Sequence, residues 1–320
     1  MHNRMNYIPR IFARVVITVC LVMVFRDTAA AQAASSRFWK PVEDALGRKG
    51  TPNPGSVLKF SFPRSDLRVV LRGVVLKPSL ALNSWVAFQR IGDHVAMMGD
   101  LVLLDSEVSS VLGSLQQNGV EQTAVHNHLL NESPRVMYMH IRAIGNGGRI
   151  ARAIKSALEF TQTPLGPPAP AAPAALAPVA QPGAPAAAPA PQLDVDAIAS
   201  IIGVRGKMNA GVYQLSIPRR EKILEEKKEI PSAMGIATAI NFQATGTGKA
   251  AVTGDFVLLG REVNPVIWTL IESGFEVTAI HSHMLTEQPR LFFLHFWAND
   301  DLTKIAQGLK TALERTKSRR

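Results

Sequence analysis

The chain has 320 residues, 47 % of them hydrophobic and 19 % charged, with a net charge of +10. That length suits two ordinary domains, and the balance is that of a folded chain rather than a disordered one. The positive charge is scattered, with small clusters in residues 219–228 and 317–320 and no aromatic-interleaved basic stripe. This argues against nucleic acid as a partner and leaves weak attraction to anionic envelope polymers or a small-molecule ligand.

Taken in chain order, residues 1–33 read as a signal peptide. Arg4, Arg10 and Arg14 precede the apolar run Val15 to Phe25, and Ala31-Gln32-Ala33 follows as a small-x-small cleavage site. The run is too short to span a bilayer, and nothing later reaches the roughly 18 apolar residues a membrane helix needs. The expectation is therefore export, to the periplasm or beyond, with no membrane span in the mature chain. Four Arg and one Asp leave with the leader, so the mature chain is near +7. Cys20, the only cysteine, lies within the leader. The mature protein then has no thiol chemistry and no disulfide, and a metal must be held by His, carboxylate, Met or amide groups.

Residues 37–162 form the first predicted domain. A short helix near Pro41–Gly47 leads into extended segments "SVLKFSF", "LRVVLRGVVL", "SWVAFQRI" and "HVAMMGDLVLL". A helix ending at Gly119 follows, then a strand "VEQTAVHNH", a turn at Pro134, a strand "RVMYMHI" and a last helix "GRIARAIKSALEF". Residues 163–192 are rich in Pro and Ala, a composition that favours an extended polyproline II tether. Its central stretch of roughly 29 residues would reach on the order of 90 Å at about 3.1 Å per residue. Residues 193–316 repeat the first domain at an offset of 155, with 27 of 61 positions identical between Gly99–Glu159 and Gly254–Glu314. Upstream, "SFPR" (Ser61 to Arg64) matches "SIPR" (Ser216 to Arg219). In the second copy Asn264 is the expected N-cap of the middle helix and Pro265 its first residue. The order of elements predicts α+β: two tandem homologous domains, each an antiparallel sheet with helices packed on it.

The two halves carry "HNHLLNESPRVMYMH" and "HSHMLTEQPRLFFLH". His126, His128 and His140 correspond to His281, His283 and His295, and Glu132 to Glu287. Alternation on a strand puts His126 and His128 on one face, and a hairpin turning near Asn131–Pro134 brings His140 close to His126. Three imidazoles plus Glu132, repeated as three imidazoles plus Glu287, suit a transition metal (Zn, Mn, Fe, Ni or Cu), and no organic cofactor motif is present. His-x-His-x3-Glu matches the first half of the cupin metal motif in spacing only, since the flanking glycines are missing. Two alternatives stand beside this expectation. In a metal-dependent hydrolase, Glu132 or Glu287 would be the catalytic general base for a metal-bound water. In an interaction module the histidines would be a buried network, with Arg135 and Arg290 paired to the two glutamates. Asp100 and Asp255, in "GD" at strand starts, are expected to cap turns, with metal ligation or a role behind a ligand histidine as the alternatives.

The segments "GDLVLLDSEV", "HNHLLNESPRVMYMHI", "VTGDFVLLGREVNPVI" and "HSHMLTEQPRLFFLHFWANDD" resemble the LppY/LpqO-like family of exported bacterial proteins, over Phe38 to about Thr316. The resemblance implies export and one domain type used twice. It brings no assigned activity and no site residues.

Overall fold

A computed structural model describes residues 35–166 and 191–319. The leader expected in residues 1–33 and positions 167–190 of the tether lie outside the described residues. The first half opens with helix α1 (residues 35–46). Strands β1 (Thr51–Asn53), β2 (Val57–Pro63), β3 (Val70–Leu71) and β4 (Val74–Val75) follow, then α2 (Pro78–Ala81). Next come β5 (Asn83–Ile91), β6 (His94–Leu104), α3 (Asp105–Gln117), β7 (Glu121–His126), β8 (Val136–Gly145) and α4 (Gly147–Leu158). The second half repeats this order with α5 (Val195–Ile202), β9 (Lys207–Asn209), β10 (Val212–Pro218), β11 (Leu224–Glu225) and β12 (Lys228–Glu229). A 3-10 turn at Ser232–Met234 takes the place of α2. Then come β13 (Ala237–Gly246), β14 (Lys249–Leu259), α6 (Gly260–Glu272), β15 (Glu276–His281), β16 (Leu291–Asp301) and α7 (Leu302–Leu313). The main sheets are antiparallel, ordered β1-β2-β5-β6-β8-β7 and β9-β10-β13-β14-β16-β15. The architecture is the α+β duplication expected.

Strand alternation divides each sheet into two apolar faces. On one face Phe60, Phe88, Met97 and Ile141 pack against Val111, Leu115 and Ile154 of the helices. Phe242, Phe256 and Phe296 do the same with Val266, Leu270 and Leu309. The opposite faces pack on each other. Each half sends an arm across its neighbour: Leu71, Leu76 and Leu80 reach Val212, Ala251 and Trp297, while Ile223, Ile230 and Met234 reach Val57, Ala87 and Met98. Each such side chain contributes about 1.5–3 kcal/mol when fully buried, so the halves are docked rather than merely tethered. Gln243 seals one arm: it accepts from Lys77 N at 2.8 Å and donates to Val75 O at 2.8 Å. The expected extended run "LRVVLRGVVL" is therefore a small hairpin, Val70↔Val75, because it leaves its own sheet to cover the other one.

Two local expectations are corrected. Helix α6 begins at Gly260 and holds Pro265 inside it. The start is set by Glu262, whose carboxylate accepts from Leu259 N at 2.8 Å, which satisfies one of the unpaired donors of the first turn. Asp100 and Asp255 lie within β6 and β14, opposite His140 and His295 in register, so they are sheet residues rather than turn caps. Among the described residues no helix is long and apolar enough to cross a membrane.

Candidate metal centre

The inward sheet faces carry the histidines, and docking brings both sets into one cluster. Strand β7 ends at His126, so His128 stands just past the strand end, yet its ring lies 4.8 Å from that of His126. In the β7–β8 hairpin Ala124 faces His140 and His126 faces Tyr138, which sets the His126 and His140 rings parallel at 5.0 Å. The second half repeats the arrangement, with His281 and His295 at 4.9 Å and His281 and His283 at 5.0 Å.

The halves meet through a local two-fold relation. His126 and His281, equivalent positions, have ring centroids 3.5 Å apart. His128 stacks on His295 and His140 on His283, each at 3.7 Å. Tyr138 and Phe293 cover the outer faces of His128 and His283 at 3.4 and 3.3 Å. Reciprocal hydrogen bonds hold the pair: Thr123 Oγ1 donates to His283 O at 2.6 Å and Thr278 Oγ1 to His128 O at 2.5 Å.

Ligand atoms of His126, His128, His140 and His281 lie within 4.8 Å of one another, as do those of His281, His283 and His295. Among the described residues, all six Nε2 atoms are buried and have no hydrogen-bond partner. An unpaired buried polar atom costs about 1–3 kcal/mol, so six together need an explanation. The other ring nitrogens supply part of it. His295 Nδ1 lies 3.0 Å from Gly254 O, His140 hydrogen-bonds Gly99 O, and His126 Nδ1 is 3.2 Å from Asn127 O. A carbonyl can only accept, so in His126 and His295 Nδ1 carries the proton and the Nε2 lone pair is left free for a ligand. Burial, reinforced by the neighbouring imidazoles, holds His128, His140 and His283 well below the ordinary histidine range. Burial lowers His126 to about 4 and His295 to about 3, and His281 also falls. The cluster is thus a set of neutral imidazoles at physiological pH, the protonation state that binds metal.

The carboxylates stand beside the histidine groups rather than within them. Glu132 Oε1 accepts from Val136 N at 3.2 Å. Glu287 Oε1 accepts from Leu291 N at 2.9 Å, with Oε2 3.3 Å from Arg290. Both glutamates brace the hairpin turns and stand outside the two histidine groups. Asp100 comes up beside the cluster: its Oδ2 is 3.9 Å from His128 Nε2, and its Oδ1 is buried without a partner among the described residues, whereas Asp255 Oδ1 accepts from Ala239 N at 3.2 Å. Burial, with Asp255 adding to it, raises Asp100 to about 8, and burial raises Asp255 to about 7. Lys59, its pKa lowered by burial to about 8, lies close enough to both aspartates to feel their charge, and its Nζ sits 4.0 Å over the Trp85 ring. The second copy has Gln214 at that position.

The "GD" pairs have a double role. A Cβ on Gly254 would fall 1.9 Å from Ala239 O, and one on Gly99 would fall 2.8 Å from Trp85 O, so only glycine lets the neighbouring strand approach. Each glycine also offers the carbonyl that orients a histidine, and the next residue is the buried aspartate. Gly254→Ala is expected to cost about 1–3 kcal/mol by overpacking, read as a lower urea midpoint, and to weaken whatever His295 binds. An unchanged midpoint would show that the strands can part freely there.

A family model described as "Domain of Unknown Function (DUF1259)" matches residues 40–160 and again 196–315. No curated protein matches the chain. Two solved structures are similar at low level. The trimeric bacterial microcompartment shell protein PduB has 11 % identity and a TM-score of 0.21, over 84 % of this chain and 91 % of that one. EtuB from Clostridium kluyveri has 9 % identity and a TM-score of 0.22, over 83 % and 88 %. At such TM-scores the likeness carries no functional argument.

Proposed function

We propose that this chain, which belongs to the DUF1259 family and carries its domain twice, is a transition-metal-binding protein whose centre is shared between the two halves. The observation that carries the reading is the convergence of six imidazoles whose Nε2 atoms are all buried and unpartnered among the described residues. Imidazole suits Zn, Cu, Fe and Ni, and neutral nitrogen ligands need little rearrangement to coordinate. Asp100 and Asp255 add the negative charge that a divalent ion requires. The sequence expectation of a separate site in each half, with Glu132 and Glu287 as ligands, gives way here to a joint site with the aspartates. The leader-like residues 1–33 and the likeness to the LppY/LpqO-like exported proteins support placing the protein in the cell envelope, where it would meet metal outside the cytoplasm.

Elemental analysis of protein purified from its native compartment tests the reading. The expected result is bound transition metal that a chelator removes. Affinity should rise between about pH 6 and pH 8, because Asp100 and Asp255, at about 8 and 7, lose their protons over that range while the imidazoles are already neutral. A protein that carries no metal, and takes up neither Zn, Cu, Mn nor Ni at micromolar concentration, would overturn it.

A further inference from the structure

We propose that the centre holds two divalent ions of the zinc and copper class, and that His281 bridges them through both ring nitrogens. The inference rests on the metal-binding reading above. His281 is the one residue that belongs to both groups: a ring nitrogen of it lies within 4.8 Å of the ligand atoms of His126, His128 and His140 in one group, and a ring nitrogen of it lies within 4.8 Å of those of His283 and His295 in the other. A tetrahedral ion takes four ligands, so a single ion would leave buried imidazoles still unpaired, at about 1–3 kcal/mol each. Two ions, one toward each set of three histidines, leave none.

The ring nitrogens single out His281 as the bridge. Its Nδ1 and Nε2 are both buried without a partner among the described residues. His126, its two-fold mate, has Nδ1 at 3.2 Å from Asn127 O, and His295 has Nδ1 at 3.0 Å from Gly254 O. Those rings already spend one nitrogen on a carbonyl. Among the described residues His281 is the histidine with both ring nitrogens buried and unpartnered, and when the second ion binds, its remaining ring proton passes to solvent and the imidazolate ligates both metals. The resulting negative charge, with Asp100 and Asp255 nearby, offsets the positive charge of two ions in a buried place.

The test uses the full chain, stripped with chelator and titrated with Cu(II) and separately with Zn(II). The expected stoichiometry is two ions per chain, and the copper-loaded protein should show a spin-coupled pair by electron paramagnetic resonance, with a half-field transition and diminished integrated signal. His281→Ala should leave isolated copper signals, whereas His126→Ala should keep the coupling. Near-ultraviolet circular dichroism reports whether each variant is folded, and the wild-type spectrum decides the matter without any variant. Saturation at one ion per chain overturns the inference and leaves the metal-binding reading standing. Two uncoupled ions overturn the bridge, and no uptake at all overturns both.

Discussion

Arg64→Ala is expected to destabilise the protein by about 3–5 kcal/mol, the range for removing one partner of a buried ion pair. Arg64 is fully buried and meets Glu107 in a fork, Nη1 at 2.7 Å and Nη2 at 3.0 Å. It also donates to Val102 O at 2.8 Å and pairs with Asp66 at 2.9 Å. Without the guanidinium, the Glu107 carboxylate stays buried against Leu104 N, which it caps at 2.8 Å, with most of its charge uncompensated. Arg219 repeats the fork on Glu262 at 2.7 and 3.1 Å and donates to Val257 O at 2.7 Å, so Arg219→Ala should cost a similar amount. Arg64→Lys should recover little, since an ammonium cannot reproduce the planar fork. Urea midpoints of the three variants measure this. A loss below about 1 kcal/mol, the range of exposed pairs, would show that the fork does not clamp strand β2 to helix α3.

The double variant His128→Ala with His283→Ala is expected to lose at least about 100-fold in metal affinity, since even the residues behind metal ligands are worth 10–100-fold. One ligand goes from each group. The metal-free variant should lose some packing, since each ring removed is stacked on both sides, but keep its fold, because the two Nε2 atoms removed make no hydrogen bond among the described residues. Thermal melts with and without metal separate this from a purely structural role. Wild type should gain about 2.7 kcal/mol at a metal concentration of 100 Kd, and the variant almost none. A variant that melts far below metal-free wild type and responds to metal as wild type does would place the histidines in packing instead of binding.

Several features of the site were open to sequence reasoning. The three histidines per half kept through duplication lie together, and the hairpin placement of His140 near His126 follows from alternation and a turn at Pro134. "SFPR" and "SIPR" were visible as a repeat, and the fork from Arg64 to Glu107 and from Arg219 to Glu262 accounts for it. For the aspartates, turn capping was preferred to metal ligation because "GD" reads as turn chemistry, although the extended segment "HVAMMGDLVLL" already held the pair inside it. In fact β6 and β14 run for 11 residues each through that pair. The glutamates were plausible ligands by spacing, but a carboxylate four residues before a strand can satisfy that strand's first N–H, and both do.

Docking left one trace in the chain. Strand β14, "KAAVTGDFVLL", carries apolar runs Ala250–Val252 and Phe256–Leu259 that do not alternate with polar residues, the pattern of a strand buried on both faces, and helices can cover only one of them. That pattern calls for a second layer but names no partner for it. By itself the sequence determined the duplication, the α+β order of elements and the six candidate imidazoles, because these depend on local periodicity and on letters kept at fixed spacing. Only the tertiary structure decided that the two sheets face each other, that the arms cross, and that the histidines of both halves form one cluster with Asp100 beside it. Those outcomes depend on which apolar face covers which, a contact between residues about 155 positions apart across a tether long enough to have allowed separation.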